Sequence, residues 1–453
     1  MDKKGIKKKL FGTNGVRGII GQSMTPGLVM GIGASLATMR KGRIAVARDS
    51  RTSGIPLVHA LKAGVMMAGC DVVDLGMMPT PALQYIVRNH FDAGAMVTAS
   101  HNPPQYNGVK IVESDGTEMD DSEVVKLESL LFGENFECVD WRSVGSEHEA
   151  EYLSEEYIGA VSGNFTSEIG KGMKVVVDPG SGAACGYTAE ILRRIGCSVF
   201  TINSRPDGTF PGRLPEPGRD GLKTLSDMVR EIKADFGVAH DGDADRAVFV
   251  DEKGEYVPEN HEFALIVDHI GRKEKGIIVT PVSTSRIIED IAKLNNCSMV
   301  YTPVGSIYVG RKMLELAADG QRVVLGGENN GGLLYPDHQY CRDGAMTAAI
   351  MVSILSDSKS RLSELVRSLP DYYIINEKFS TANGEKIMDL LEARYSEEEL
   401  DFTDGIKITL GRTWGLIRPS GTEPLIRLIV ESDEEKCAKN LFEELSKIIR
   451  QNL

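Results

Sequence analysis

Arg43-Ile-Ala-Val-Ala47, the polar turn Arg48-Asp-Ser-Arg-Thr-Ser-Gly54, the apolar run from Ile55 to Ala68, and Gly69-Cys70-Asp-Val-Val-Asp-Leu75 together decide the fold. The outer segments are apolar runs of strand length and the run between them has helical length, so the order is strand, turn, helix, strand. Two later stretches repeat it. Met173-Lys-Val-Val-Val177 leads through Asp178-Pro-Gly-Ser-Gly-Ala183 and a helix to Ile195 into Gly196-Cys197-Ser-Val-Phe-Thr-Ile202. Gly276-Ile-Ile-Val-Thr280 leads through Pro281-Val-Ser-Thr-Ser285 and a helix to Leu294 into Asn295-Asn296-Cys297-Ser-Met-Val-Tyr301. The recurrence predicts three related α/β domains. The cysteine before each returning strand reads as a small core residue.

The C-terminal part has another character. Helices over Lys386–Tyr395 and Glu434–Ile449 flank strands at Ile406–Leu410, Trp414–Ile417 and Leu425–Val430, which predicts a small α+β domain. The fold class is therefore α/β with four domains: 1–151; 152–254, entered by a charged helix from Glu151 to Ser162; 255–368, beginning after the turn Lys253-Gly254-Glu255; and 369–453, after Leu369-Pro370.

A chain of 453 residues with 42% hydrophobic and 26% charged residues has the composition of ordinary globular domains. The net charge of -14 argues against nucleic acid and acidic membranes as partners, so an anionic substrate needs a local basic pocket. Seven cysteines without a CxxC pair suggest reduced thiols and a cytoplasmic protein. Neither a secretory h-region nor an apolar run of membrane-spanning length is present in the sequence.

Four stretches carry chemistry. Thr98-Ala-Ser100-His101-Asn102-Pro-Pro-Gln-Tyr-Asn107-Gly-Val-Lys110 follows an apolar strand, and its two prolines stiffen a turn that presents the Ser100 hydroxyl. Read alone it could equally be a capped turn. Phe236-Gly-Val-Ala-His240-Asp241-Gly-Asp243-Ala-Asp245-Arg246 places three carboxylates at alternate positions, a set that can converge on one divalent cation, with magnesium the natural candidate beside a phosphate. A calcium EF-hand, with Glu252 at its twelfth position, is the competing pattern, but Arg246 stands where that loop needs glycine and a strand follows in place of a helix. Arg418-Pro-Ser420-Gly421-Thr422-Glu-Pro-Leu-Ile-Arg427 joins arginines, hydroxyls and a glycine into an anion cradle. Gly326-Gly-Glu328-Asn329-Asn330-Gly-Gly332 offers a carboxylate and amides to sugar hydroxyls, or is a simple glycine-rich turn. A weaker signal, Leu10-Phe-Gly-Thr-Asn14-Gly-Val-Arg17-Gly18, is a glycine-punctuated loop with one arginine.

Over its whole length, and through these motifs in order, the sequence resembles the α-D-phosphohexomutases. The resemblance implies three similar α/β domains and a fourth of different fold around a central cleft. It also implies conversion of hexose 6-phosphate to hexose 1-phosphate through a hexose 1,6-bisphosphate, with Ser100 as the phosphoserine. Asp241, Asp243 and Asp245 would bind one Mg2+ together with an oxygen on Ser100. Arg17, His101, Lys110 and Arg246 would line the reacting end. Glu328 and Asn329 would meet the sugar, and Arg418, Ser420, Gly421, Thr422 and Arg427 the distal phosphate.

One departure stands out: the best-known members end the sugar loop in histidine, where this chain has Gly332, a form similar to that of archaeal members. The base role then falls to Lys110 or Arg17, and a lysine base needs a lowered pKa. The partners expected are hexose phosphates, with the chain a monomer or homodimer. We lean to glucosamine phosphate, with mannose and glucose phosphates as alternatives. A phosphatase and a non-catalytic phosphosugar-binding protein are the rivals.

Overall fold

The computed structural model describes residues 8–381, 383–419 and 425–453. They form two compact units, one of residues 1–262 with 330–366 and the other of 263–329 with 367–453. Ser420, Gly421 and Thr422 of the predicted cradle lie outside the described residues.

The first unit contains two of the predicted α/β repeats. Its first sheet has six strands, in the order Val16–Ile19, Tyr106–Glu113, Ala93–Val97, Arg43–Arg48, Asp71–Met77, Glu147–Glu149. Tyr106–Glu113 pairs antiparallel with both its neighbours and the strands from Ala93–Val97 onward pair parallel, so the sheet is mixed. Apolar residues on both faces of Arg43–Arg48 and Ala93–Val97 explain why these strands read as continuous hydrophobic runs. The second sheet, Tyr256–Val257, Ala247–Asp251, Phe236–His240, Lys174–Asp178, Ser198–Thr201, repeats the central order with one strand fewer at its edge. Cys70 and Cys197 are buried at the strand entrances, as core residues.

This repetition places the chemistry. In the first sheet Ala93–Val97 turns back through residues 98–105 into Tyr106–Glu113; in the second Phe236–His240 turns back through 241–246 into Ala247–Asp251. Val323–Glu328 leads through 329–331 into Gly332–Leu334 in the same way. The serine, carboxylate and sugar motifs thus sit on the corresponding loop of successive repeats, at the carboxyl ends of strands where open α/β sheets bind ligands.

The segment 151–163 begins as a short 3-10 turn, Glu151–Leu153, and becomes α-helical only at Ser154–Gly163. Gly344–Ser358 is a helix whose first residues through Leu355 are all buried, so its sequence shows no polar face. Asp343 caps it, accepting from Met346 N (2.9 Å) and from the Tyr157 hydroxyl (2.8 Å).

The second unit holds the parallel strands Ser298–Thr302, Ile277–Pro281 and Val323–Glu328, and an antiparallel sheet Tyr373–Ser380, Leu425–Ser432, Thr413–Pro419, Ile406–Leu410, Glu399–Asp401. The eight-residue strand Tyr373–Ser380, with its full pairing to Leu425–Ser432, went unread because Leu369-Pro370 draws the eye as a terminator. Trp414 packs with Val282 and Leu416, and its indole N–H donates to Glu431 Oε1 (2.9 Å), which also accepts from Arg286 N (2.7 Å). Burial pushes the nearby Lys407, which lies over the Trp414 ring, down to about 8. Glu431→Ala leaves both donors buried without an acceptor. It is expected to destabilise this unit by about 2 kcal/mol or more, read from the urea midpoint.

Candidate active site

Two loops of the first unit meet. Ser100 is fully buried, with φ of +50°, and its Oγ donates to Asp241 Oδ2 at 2.9 Å. Ala244 in the carboxylate loop is likewise left-handed, with φ of +60°. Left-handed conformations are rare outside glycine and are held only where surroundings over-determine them.

For the serine loop that surrounding is Arg51. Its guanidinium donates to the carbonyls of Ser100 (2.9 Å), Asn102 (2.5 Å), Pro103 (2.7 Å) and Tyr106 (2.9 Å), while Nε donates to Asp49 Oδ2 (3.0 Å). Asp49 also accepts from Thr98 Oγ1 (2.6 Å), which in turn accepts from Ser100 N (2.8 Å). The two prolines are therefore a minor part of the stiffening. The second repeat uses the same device: Arg213 pairs with Asp178 (2.8 Å) and donates to the carbonyl of His240 (2.6 Å), the residue before Asp241. Arg51 lies in the polar turn after its strand, and Arg213 belongs to none of the motifs read from the sequence. The recurring strand-end aspartates Asp49 and Asp178 were the available signal.

Gly242 allows the loops to touch, since a Cβ there would lie 2.4 Å from Ser100 O. Thr80 fastens the contact from the side, donating its amide to Asp243 O (2.9 Å) and its hydroxyl to Asp243 Oδ2 (2.6 Å).

Asp241, Asp243 and Asp245 are buried, and one oxygen from each lies within 4.8 Å of the others. Asp243 Oδ1 and Asp245 Oδ1 are buried without a hydrogen-bond partner. Burial and the charges of Asp245 and Asp243 push Asp241 well above the ordinary carboxylate range. Buried carboxylates in mutual repulsion, with oxygens to spare, are what a hard divalent cation relieves, so the residues fit a metal site. Glu252 lies elsewhere, accepting from Ser363 N (3.2 Å) and Oγ (2.6 Å), which removes the EF-hand alternative.

Cations surround the triad. Lys110 Nζ donates to Asp243 Oδ2 (2.7 Å) and Asp245 Oδ2 (3.0 Å). Against burial, which lowers it, these two charges raise Lys110 above the usual lysine value, the opposite of what a base requires. Despite burial, Arg342, Lys110 and Arg246 hold Asp245 well below the carboxylate range. Arg246 Nε is buried without a hydrogen-bond partner. Arg17 is placed by its strand's pairing opposite Gly108, and Nη1 donates to Asn102 Oδ1 (2.9 Å). Glu128 anchors that N-terminal loop, accepting from the amides of Lys9, Leu10 and Phe11 (2.7, 2.8 and 2.8 Å). His101 Nδ1 lies 3.4 Å from Ser100 Oγ, and burial with the charges of Arg246 and Arg17 pushes its pKa down to about 3. It is a neutral imidazole at physiological pH.

In the second unit Glu328 is buried at the end of its strand, where Gly327 O accepts from Thr280 Oγ1 (2.9 Å), and Asn329 follows it half-buried. Arg418 stands directly opposite Arg427 on adjacent strands, and Arg427 opposite Lys378 on the next, while Arg418 pairs with Asp404 (2.6 Å). A row of like charges across a sheet is unfavourable unless an anion compensates it.

A buried hydroxyl held against a carboxylate triad and ringed by cations defines a phosphoryl-handling site. The sequence matches the four phosphoglucomutase/phosphomannomutase domain families: α/β/α domain I at residues 8–137, domain II at 155–254, domain III at 258–373 and the C-terminal domain at 376–448. It is 41% identical to a phosphoglucomutase/phosphomannomutase of Thermococcus kodakarensis, over 98% of this chain and 99% of that one. It is 38% identical to a phosphoglucosamine/phosphogalactosamine mutase of Sulfurisphaera tokodaii, over 97% and 99%. The structure is similar to that of a phosphoglucomutase/phosphomannomutase family protein from Burkholderia thailandensis, with a TM-score of 0.86, 26% identity and 97% of each chain covered. The chain belongs to the phosphoglucomutase/phosphomannomutase family, within the α-D-phosphohexomutases. It is a phosphohexomutase, an intramolecular phosphotransferase of the isomerase class. Among the described residues no helix is long and apolar enough to cross a membrane.

Proposed function

We propose that the enzyme interconverts hexose 6-phosphate and hexose 1-phosphate through a phosphorylated Ser100 and a hexose 1,6-bisphosphate, with glucosamine phosphate the preferred substrate. The observation that carries this is Ser100 Oγ directed at Asp241 beside buried carboxylate oxygens that make no hydrogen bond. Asp241, Asp243 and Asp245, with an oxygen on Ser100, would hold one Mg2+. When bound, that ion supplies charge neutralisation to the phosphoryl oxygens.

The chain's own residues do the rest. Arg246 has an unused donor for a phosphoryl oxygen, and Lys110 and Arg17 are fixed positive charges beside it. As a sugar hydroxyl attacks phosphorus, the bond to Ser100 Oγ breaks and the hydroxyl's proton must leave. Lys110 is held as a cation and arginine does not release its proton, while His101, pushed down to about 3, is too weak a base to keep it; lying 3.4 Å from Ser100 Oγ, His101 is placed to relay the proton to that departing oxygen. Glu328 and Asn329 are suited to sugar hydroxyls. Arg418 and Arg427, with Ser420, Gly421 and Thr422 between them in sequence, are suited to the non-reacting phosphate.

The preference for an amino sugar rests on the Sulfurisphaera relative's name, and the Thermococcus relative's name supports mannose and glucose phosphates as the second reading. A cytoplasmic location fits the seven free thiols. Side-by-side coupled kinetics with glucosamine, mannose and glucose 6-phosphates test the assignment, and kcat/KM should be highest for glucosamine 6-phosphate. Release of inorganic phosphate without any 1-phosphate would instead make the protein a phosphatase. Chelation should abolish turnover and Mg2+ should restore it, while Asp243→Asn should weaken Mg2+ binding about 10-fold or more by calorimetry.

A further inference from the structure

Arg342 is absent from every motif above, yet it reaches the centre of the site. Its strand-like segment bridges Leu334, and Asp343 N donates to Leu333 O (2.9 Å), so residues 335–341 form a loop that returns Arg342 beside Gly332. The side chain is 4% exposed. Nη2 donates to Asp245 Oδ2 at 2.5 Å, and with the Asn14 amide oriented to donate to Glu118, Nη2 also donates to Asn14 Oδ1 at 2.8 Å.

Two details give this contact a purpose. First, Arg342 and Lys110 both donate to the same oxygen of Asp245, Oδ2, while Oδ1 is buried with no hydrogen-bond partner. The carboxylate is thus fixed through one oxygen, while the other makes no hydrogen bond and lies 3.9 Å from Arg246 Nε. Second, the stem of Arg342 fills the space over Gly332, where a Cβ would lie 2.3 Å from Cδ and 3.1 Å from Cγ. Gly332 is also the place at which the sequence lacks a side chain found in the best-known members. The glycine makes room for the arginine. The same loop is tied to the carboxylate loop's outgoing strand, since Ala247 N donates to Gly331 O (2.9 Å).

We propose that Arg342 is a positioning residue for the metal site: it holds Asp245 by Oδ2 so that Oδ1 stays turned to the cation, and Gly332 is required because any larger residue displaces it. This rests on the reading of the triad as a Mg2+ site. Outer partners of metal ligands typically change affinity by about 10- to 100-fold when removed.

Calorimetric titration of the full-length protein with Mg2+ provides the test, with thermal melting as a check on folding. Arg342→Met keeps the stem and removes the donor. It should weaken Mg2+ binding about 10-fold or more at little change in Tm, and Arg342→Lys should recover part of the loss. Gly332→Ala, which deletes no polar group but crowds the Arg342 stem and, at 2.9 Å, Asn330 Oδ1, should weaken Mg2+ binding in the same direction, and it serves as the second variant if Arg342→Met does not fold. Unchanged Mg2+ affinity in either folded variant would overturn the role of Arg342. Failure of the wild-type protein to bind Mg2+ at all would instead overturn the metal site itself.

Discussion

Ser100→Ala is expected to lower mutase turnover roughly 10^4-fold or more in both directions, because it removes the group on which, in the proposed mechanism, the phosphoryl unit rests between half-reactions. The substitution should leave the fold intact. The serine hydroxyl makes its bond to Asp241, and the loop's own geometry is fixed through the Ser100 amide and carbonyl, which alanine retains. Neither residue is glycine, so the cost of the left-handed φ is the same for both. A melting temperature close to wild type together with lost turnover is the expected pair of results, measured by thermal unfolding and a coupled assay. A well-folded variant with more than a tenth of wild-type turnover would remove Ser100 from the chemistry.

Arg51→Ala should be the most damaging change to stability near the site. Asp49 and Arg51 are both fully buried, and removing the cation leaves a buried carboxylate with one hydroxyl and one amide to compensate it. Breaking such a pair costs about 3–5 kcal/mol. Four loop carbonyls lose their donor as well. Chemical denaturation should show the loss in the first unit's transition. Any folded fraction should turn over roughly 10^2-fold more slowly, since a displacement of about 1 Å at a reacting group has that effect. Asp49→Asn should be much milder, because Arg51 keeps its carbonyl acceptors. Equal effects of the two substitutions would show that the pair, and not the arginine's grip on the loop, is what matters.

The strand–turn–helix–strand repeat was legible because the entering strand of each copy is buried on both faces and its cysteines recur at one place, Cys70, Cys197 and Cys297. The carboxylate triad was legible because all three side chains come from one short loop. Arg51, Thr80, Arg213 and Arg342 were not. Each reaches its partner across 27 to 163 residues of chain, and in sequence each is one polar residue in a turn or beside a helix. The charge state of Lys110 was not legible for a related reason. Lys110 sits on a strand whose neighbours in sequence are apolar, so nothing local shows that Asp243 and Asp245 clasp it and keep it charged. The pKa of His101 is lowered first by burial and then by the charges of Arg246 and Arg17, which are equally remote in sequence.

The central claim is that Ser100 carries the phosphoryl group. Incubation of the purified protein with a hexose 1,6-bisphosphate and Mg2+, followed by intact-mass measurement and peptide mapping, tests it most directly. The prediction is one added phosphoryl group per chain, located on Ser100 and discharged by excess hexose 6-phosphate or 1-phosphate. An unmodified chain that still interconverts the two hexose phosphates, or a phosphoryl group on any other residue, would contradict it.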